Sequence, residues 1–281
     1  MTIAIIGTGL MGTATARRLH QQGEAVIAWN RHAATARERL GPGITVVERI
    51  DDAVQTADTL LLFLADAGAI AEVLLPLPPE ALVSKSIVQM GTIAPSESRD
   101  LSRRFTTAGA DYLEAPVLGS LPEAAAGTLL LMVGATPALF ERHEPLLSRL
   151  GKARRIGPVG KAAAVKLAMN QLIAGLTASF ALSLNFVMAE EVDVAQFMEI
   201  LRESALYAPT FDKKLGKMLA SDYDNPNFPL KHLDKDVKLF LRAAAEHALN
   251  TALLEGVESV LADALAAGRG EQDYSALRES I

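Results

Sequence analysis

Three short stretches of the sequence hold residues whose types and spacing could do chemistry. The first is Gly7, Thr8, Gly9, Leu10, Met11 and Gly12, a G-x-G-x-x-G run that follows the apolar IAIIG. The first glycine permits a tight turn, the second lets backbone approach a pyrophosphate, and the third brings the next helix close to the strand. Unpaired N–H groups at that helix start would face the phosphates. A dinucleotide is therefore expected there. The second stretch is AWNR, at the end of the next β-rich run, with Asn30 and Arg31 where an NAD site usually has an acid for the ribose 2′-hydroxyl. A guanidinium suits a 2′-phosphate instead, so NADPH is the expected cofactor, against the alternative of a solvated loop charge. The third is VGKAAAVKLAMN, residues 159–170, which sets Lys166 near the start of an apolar helix with Asn170 four residues on. That spacing puts both side chains on one helix face. A lysine of ordinary pKa, about 10.4, is protonated at neutral pH and can give a proton. A snorkelling surface lysine and a satisfied core amide are the plainer readings of the same residues.

The elements that must position these residues change character along the chain. Through about residue 155, short β-rich runs (3–7, 25–29, 44–47, 59–64, 86–90, 111–117 and 128–134) alternate with helical pieces (10–22, 33–40, 69–75 and 137–150). This is the rhythm of a doubly wound parallel sheet covered on both faces. Beyond GPVG the strand signal stops and helical text follows. The expected α/β fold is thus a Rossmann domain over 1–158 and an all-helical domain over 159–281, joined by a long helix. The segment from Leu167 to Ala189 has no charge and could span a bilayer by length. Its Asn170, Gln171, Thr177, Ser179, Ser183 and Asn185 argue instead for burial between domains or subunits.

Composition narrows the partners. Half of the 281 residues are hydrophobic, 21% are charged, and the formal charge is −6. A mildly acidic chain lacks the broad basic footprint of a nucleic-acid binder, so a small molecule is the expected partner. There is no cysteine, which excludes disulfides, thiolate zinc sites and a cysteine nucleophile. The histidines at 20, 32, 143, 232 and 247 show no ligand spacing, and no metal is expected. The N-terminus lacks a basic run and breaks its apolar stretch with glycines, unlike a signal peptide, so the expected compartment is the cytoplasm.

GTGLMG, EAPVLGSLPEAAAGTLLLMVGA (114–135), GPVGKAAAVKLAMN (157–170) and FPLKHLDKDVKL (228–239) occur in an order that resembles the β-hydroxyacid dehydrogenases along nearly the whole chain. AWNR, the Pro122–Glu123 pair, FPLKH and the closing EQDYSAL look most like glyoxylate/succinic semialdehyde reductases. The resemblance implies that Lys166 is the catalytic acid/base and that Asn170 holds substrate. It implies that Leu118, Gly119 and Ser120 form a substrate-carboxylate loop, with Phe228 as a pocket wall. Thr92 and Lys235 match positions on the nicotinamide side, while Leu64, Ala65 and Asp66 match the loop beside the dinucleotide. The implied reaction is reduction of a small aldehyde acid by NADPH, with Lys166 protonating the developing alkoxide. A homodimer or homotetramer is implied as well.

Three departures stand out against the family: Leu118 where serine is common, Gly91 where serine often precedes the threonine, and Ala162 where glycine is usual. A 3-hydroxyisobutyrate-type dehydrogenase, an imine reductase and a non-catalytic NADPH-binding module are the alternative readings.

Overall fold

The computed structural model describes residues 1–281. In chain order the first half comprises β1 (Thr2–Ile6), α1 (Leu10–Gln21), β2 (Ala25–Trp29), α2 (Ala33–Leu40), β3 (Thr45–Val47), α3 (Ile50–Thr56), β4 (Thr59–Leu62), α4 (Ala67–Leu74), α5 (Pro79–Leu82), β5 (Ser86–Gln89), α6 (Pro95–Thr107) and β6 (Asp111–Glu114). The six strands run parallel in the order β3-β2-β1-β4-β5-β6. Strand order therefore reverses between β1 and β4, with Ile3 paired to Val26 on one side and Thr59 on the other. In such sheets ligands sit outside the carboxyl ends of the strands at this switch point, and Gly7–Gly12 occupy that end of β1.

The unbroken apolar runs follow from burial on both faces. Along β1, Ile3 and Ile5 enter one core with Leu19, Leu61, Val88 and Leu113, while Ala4 and Ile6 enter another with Leu60, Leu62, Ile87 and Phe105. Period-two alternation sorts neighbours to opposite faces, and neither face is left for polar residues.

The sheet then departs from the parallel pattern. β7 (Val117–Leu118), α7 (Leu121–Ala126), β8 (Leu129–Gly134), α8 (Pro137–Leu147) and β9 (Gly151–Gly157) follow. β8 lies antiparallel to β6 and β7, and β9 pairs with β8 in parallel. The run 111–117 is two strands because Pro116 carries no N–H for the ladder. β9, GKARRIG, has no apolar alternation to reveal it, since Lys152, Arg154 and Arg155 are exposed on a strand that pairs on one side only. Charge on such an edge discourages pairing with another chain.

The remainder is helical: α9 (Lys161–Ala189), α10 (Val194–Glu203), α11 (Pro209–Ala220), α12 (Leu230–Ala245), α13 (Ala252–Ala266) and a closing 3₁₀ turn, Tyr274–Ser280. The chain forms two compact units, Met1–Leu167 and Ala168–Ile281, so the division falls inside α9 rather than at its start. In the second unit Ala174, Phe180, Ala181 and Leu184 of α9 enter a core with Met198, Phe211, Leu233, Val237 and Leu261. A buried ion pair crosses it: Lys214 Nζ donates to both Asp273 oxygens at 2.9 and 2.8 Å, and Asp273 also accepts from Ser275 N–H and Oγ. That pairing ties the closing turn to α11. By length and composition α9 could cross a membrane, yet one side of it is built into this core. Leu172, Leu176, Leu182 and Phe186 share the opposite, exposed side.

Candidate active site

The dinucleotide turn is shaped by what its glycines exclude. Gly7 has φ +100°, and a Cβ there would lie 2.6 Å from the Phe63 carbonyl oxygen. A Cβ on Gly12 would overlap the carbonyl oxygen of Gly7. Gly9 differs, because a Cβ built on it would meet nothing within 4 Å. The first and third glycines are thus required by the protein's own packing, and the second borders open space suited to a phosphate group. Thr8 is buried with its hydroxyl unpartnered, Met11 packs on the first core and Leu10 is exposed. Arg39 Nη1 donates to the Thr8 carbonyl at 2.9 Å, which brings a guanidinium to this turn.

Two loops adjoin the turn. A Cβ on Gly7 would meet the Leu64 side chain at 3.3 Å, and one on Gly91 would meet the Leu64 carbonyl at 3.1 Å. The loops carrying Leu64–Asp66 and Thr92 therefore run side by side next to the glycine turn. A side chain at residue 91 would fit only if the Leu64 carbonyl gave way by a few tenths of an ångström. Asp66 caps α4 by accepting from Ala69 N–H at 2.8 Å, while Ala65 is exposed. Asn30 and exposed Arg31 follow β2, and Arg31 Nη2 lies 3.5 Å from Glu72 Oε2, also exposed.

Lys166 sits in the second turn of α9, partly buried, and the helix start is held from the sheet. Glu114 Oε1 accepts from the N–H groups of Gly160 (2.7 Å), Ala162 (2.8 Å) and Ala163 (3.2 Å). Its other oxygen accepts from Ser98 Oγ at 2.5 Å, and Tyr112 OH lies 3.0 Å from that hydroxyl. Since Ser98 gives its hydrogen to Glu114, the phenol donates to Ser98. Burial pushes the Glu114 carboxyl above the usual carboxylate range, while these four donors favour its charged form. The same burial raises the Tyr112 phenol. Ala162 is fully buried, and its methyl is accommodated while its N–H points at Glu114.

In the second unit Asn170 is 1% exposed, and its Nδ2 donates to Asp236 Oδ2 at 2.5 Å. The carboxylate accepts only, so it fixes the amide's orientation and leaves Asn170 Oδ1 buried with no hydrogen-bond partner. Lys235 Nζ is 3.0 Å from Asp236 Oδ1, near enough to pair charge but not aligned as a hydrogen bond. Asn170, Lys235 and Asp236 are thus one cluster. Phe228 borders the helical core, its ring parallel to His232 (6.4 Å, 15°) and edge-on to Tyr274 (5.8 Å, 63°).

The Leu118–Ser120 loop holds an unexpected occupant. Ser120 N–H and Oγ both donate to Glu123 Oε2 at 2.8 Å, forming a capping box at the start of α7. The two Ser120 donors assigned to a substrate carboxylate therefore already hold a carboxylate of the chain. Gly119, at φ +127°, holds a backbone conformation that a residue with a side chain would adopt only under strain.

Sequence reasoning missed Glu114, Asp236 and Arg39. Glu114 had a visible signal, a charge inside the apolar run YLEAPV. Asp236 had one too, since i+3 spacing puts it on the buried side of α12 with Leu230 and Leu233. Arg39 reaches the turn across space and left no signal.

Two family models cover the chain: the NAD-binding domain of 6-phosphogluconate dehydrogenase matches residues 2–165, and the NAD-binding region of NADP-dependent 3-hydroxyisobutyrate dehydrogenase matches 160–281. Among curated relatives, glyoxylate/succinic semialdehyde reductase 2 of Arabidopsis thaliana is 28% identical, over all of this chain and 79% of the relative. The 2-hydroxy-3-oxopropionate reductase of Escherichia coli K12 is 30% identical, over all of this chain and 97% of its own. A solved 3-hydroxyisobutyrate dehydrogenase of Mycobacterium tuberculosis superposes with a TM-score of 0.89 at 22% identity, covering 99% of this chain and 98% of that one. With its glycine turn, parallel sheet and helical second unit, the chain belongs to the β-hydroxyacid dehydrogenase family of NAD(P)-binding oxidoreductases.

Proposed function

We propose that the protein uses NADPH to reduce a small aldehyde acid, such as glyoxylate, succinic semialdehyde or a close analogue, to the hydroxy acid. The observation that carries this reading is the pair on α9: Lys166, and one turn later Asn170 with its amide oriented by Asp236. Bound NADPH supplies a hydride. Lys166 donates a proton from Nζ to the substrate oxygen, and its positive charge stabilises that oxygen most when negative charge develops there. Asn170 Oδ1 is a buried acceptor that the hydroxyl of the alcohol form satisfies. A lysine gives a proton in its ammonium form, the role that reduction of the carbonyl requires. The names of the two curated reductases support the same substrate class.

NADPH is favoured over NADH by Arg31 and by the lack of an acid at the end of β2. The exposed apolar face of α9 supports a homodimer or homotetramer, and the cytoplasm is the proposed compartment. The test is a panel of carbonyl acids and their alcohols with NADPH or NADP, followed by cofactor absorbance. Rapid reduction of an aldehyde acid is expected. Fast NADP-linked oxidation of a 3-hydroxy acid with no aldehyde reduction would replace this reading with a 3-hydroxyisobutyrate-type dehydrogenase, and NADPH binding with no turnover would point to a regulatory module.

A further inference from the structure

We infer that Glu114 is a positioning residue for catalysis, a buried clamp from the sheet that sets where α9 presents Lys166. The inference rests on Lys166 being the proton donor. Helix starts usually take a cap from a serine, threonine, aspartate or asparagine at the N-cap itself. Gly160, just before α9, has no side chain to offer, and its φ of +96° is a backbone conformation that a residue with a side chain would hold only under strain. The cap comes instead from the end of β6, 46 to 49 residues earlier in the chain. A local cap only ends a helix. This one fixes the helix to the sheet.

The carboxylate is itself held in place. Ser98 and, behind it, Tyr112 engage the oxygen that the helix does not use, and Glu114 is 2% exposed. Gly134, its partner across the sheet, leaves the space the carboxylate fills, because a Cβ there would overlap it. Two strands and α6 therefore define the position of the carboxylate, and the N–H groups of Gly160, Ala162 and Ala163 converge on its Oε1. Lys166 lies three residues beyond the last of these, about 4.5 Å of helix rise. Over so short a distance the clamp's position is transmitted almost rigidly to the lysine. A misplacement of about 1 Å at a reacting group can cost roughly a hundredfold in rate.

The test compares Glu114→Leu, Glu114→Gln and Gly134→Ala in the full chain, each with and without Lys166→Ala, by steady-state kinetics with NADPH and a reducible aldehyde acid. Glu114→Leu is expected to lower kcat by about a hundredfold with the KM for NADPH little changed. Glu114→Gln, whose amide oxygen still accepts the three N–H groups, is expected to restore kcat to within several-fold. If Glu114→Leu does not fold, Gly134→Ala carries the test, since it pushes on the carboxylate without deleting it, and should lower kcat by about tenfold. In the Lys166→Ala background neither Glu114→Leu nor Gly134→Ala should cause further loss, because a residue that acts through Lys166 has nothing left to position. Unchanged kcat in both Glu114→Leu and Gly134→Ala, a Gln variant as impaired as Leu, or the same loss repeated without the lysine would each overturn the inference. Should Lys166→Ala alone keep full kcat, the assignment of the proton donor fails separately.

Discussion

Replacing Glu123 by glutamine should tighten the binding of aldehyde acids. Both Ser120 donors lie 2.8 Å from Glu123 Oε2, so a substrate carboxylate reaching for them must displace a resident carboxylate. Hydrogen bonds to a charged partner contribute about 1.5–3 kcal/mol and neutral ones about 0.5–1.5 kcal/mol. Glutamine keeps the geometry but weakens each bond by about 1 kcal/mol, or about 2 kcal/mol for the pair. Glu123 is only partly buried, and solvent screening reduces that difference. With tenfold per 1.4 kcal/mol, the KM for glyoxylate or succinic semialdehyde should fall by roughly 3- to 30-fold. The assay is initial-rate NADPH oxidation with three substrates: the two acids and an aldehyde of similar size with no carboxylate. The KM for the uncharged aldehyde and for NADPH should stay constant, as should kcat. An unchanged or raised KM for both acids, or an equal fall for the uncharged aldehyde, would refute the competition.

Other parts of the account have their own tests. Arg31→Ala should raise the KM for NADPH by about 10- to 100-fold, the loss of one charge-assisted contact, and barely change that for NADH; equal effects would remove the phosphate role. Phe186 is 64% exposed on α9, and Phe186→Glu should shift the protein to monomer in light scattering, whereas an unchanged mass would move the interface elsewhere. Tyr223 OH at 2.6 Å, then Ser221 Oγ at 3.0 Å, hold the Glu279 carboxyl below its ordinary range. Such a group adds stability above its unfolded pKa of about 4.3 and loses it as pH falls through the lower folded value. Thermal melts of wild type and Glu279→Gln should therefore differ at pH 6 and converge as the pH falls through the depressed folded value of Glu279; a gap that persists in strong acid would contradict the linkage.

The sequence made most of the parallel sheet legible because its strands are buried on both faces and read as unbroken apolar runs. β9 was hidden because an edge strand rich in arginine has no such run. The short helices α3, α5 and α7 were lost for a related reason, being too brief for a periodic face to register. At the site, the glycine turn was readable from spacing, since two of its glycines answer to local packing. Partnerships across space were not. No local pattern says that Glu114 holds the start of α9 or that Asp236 orients Asn170. These join residues by tertiary placement, whereas the Ser120–Glu123 pair has a capping-box spacing that could have been read in advance.

The central claim is that Lys166 gives the proton. Its most direct test is kcat of Lys166→Ala with NADPH and an aldehyde acid, alongside NADPH affinity by fluorescence titration. Loss of a positioned proton donor predicts a fall in kcat of about 10²- to 10⁴-fold with NADPH affinity retained. A variant that binds NADPH and turns over within twofold of wild type would contradict the account.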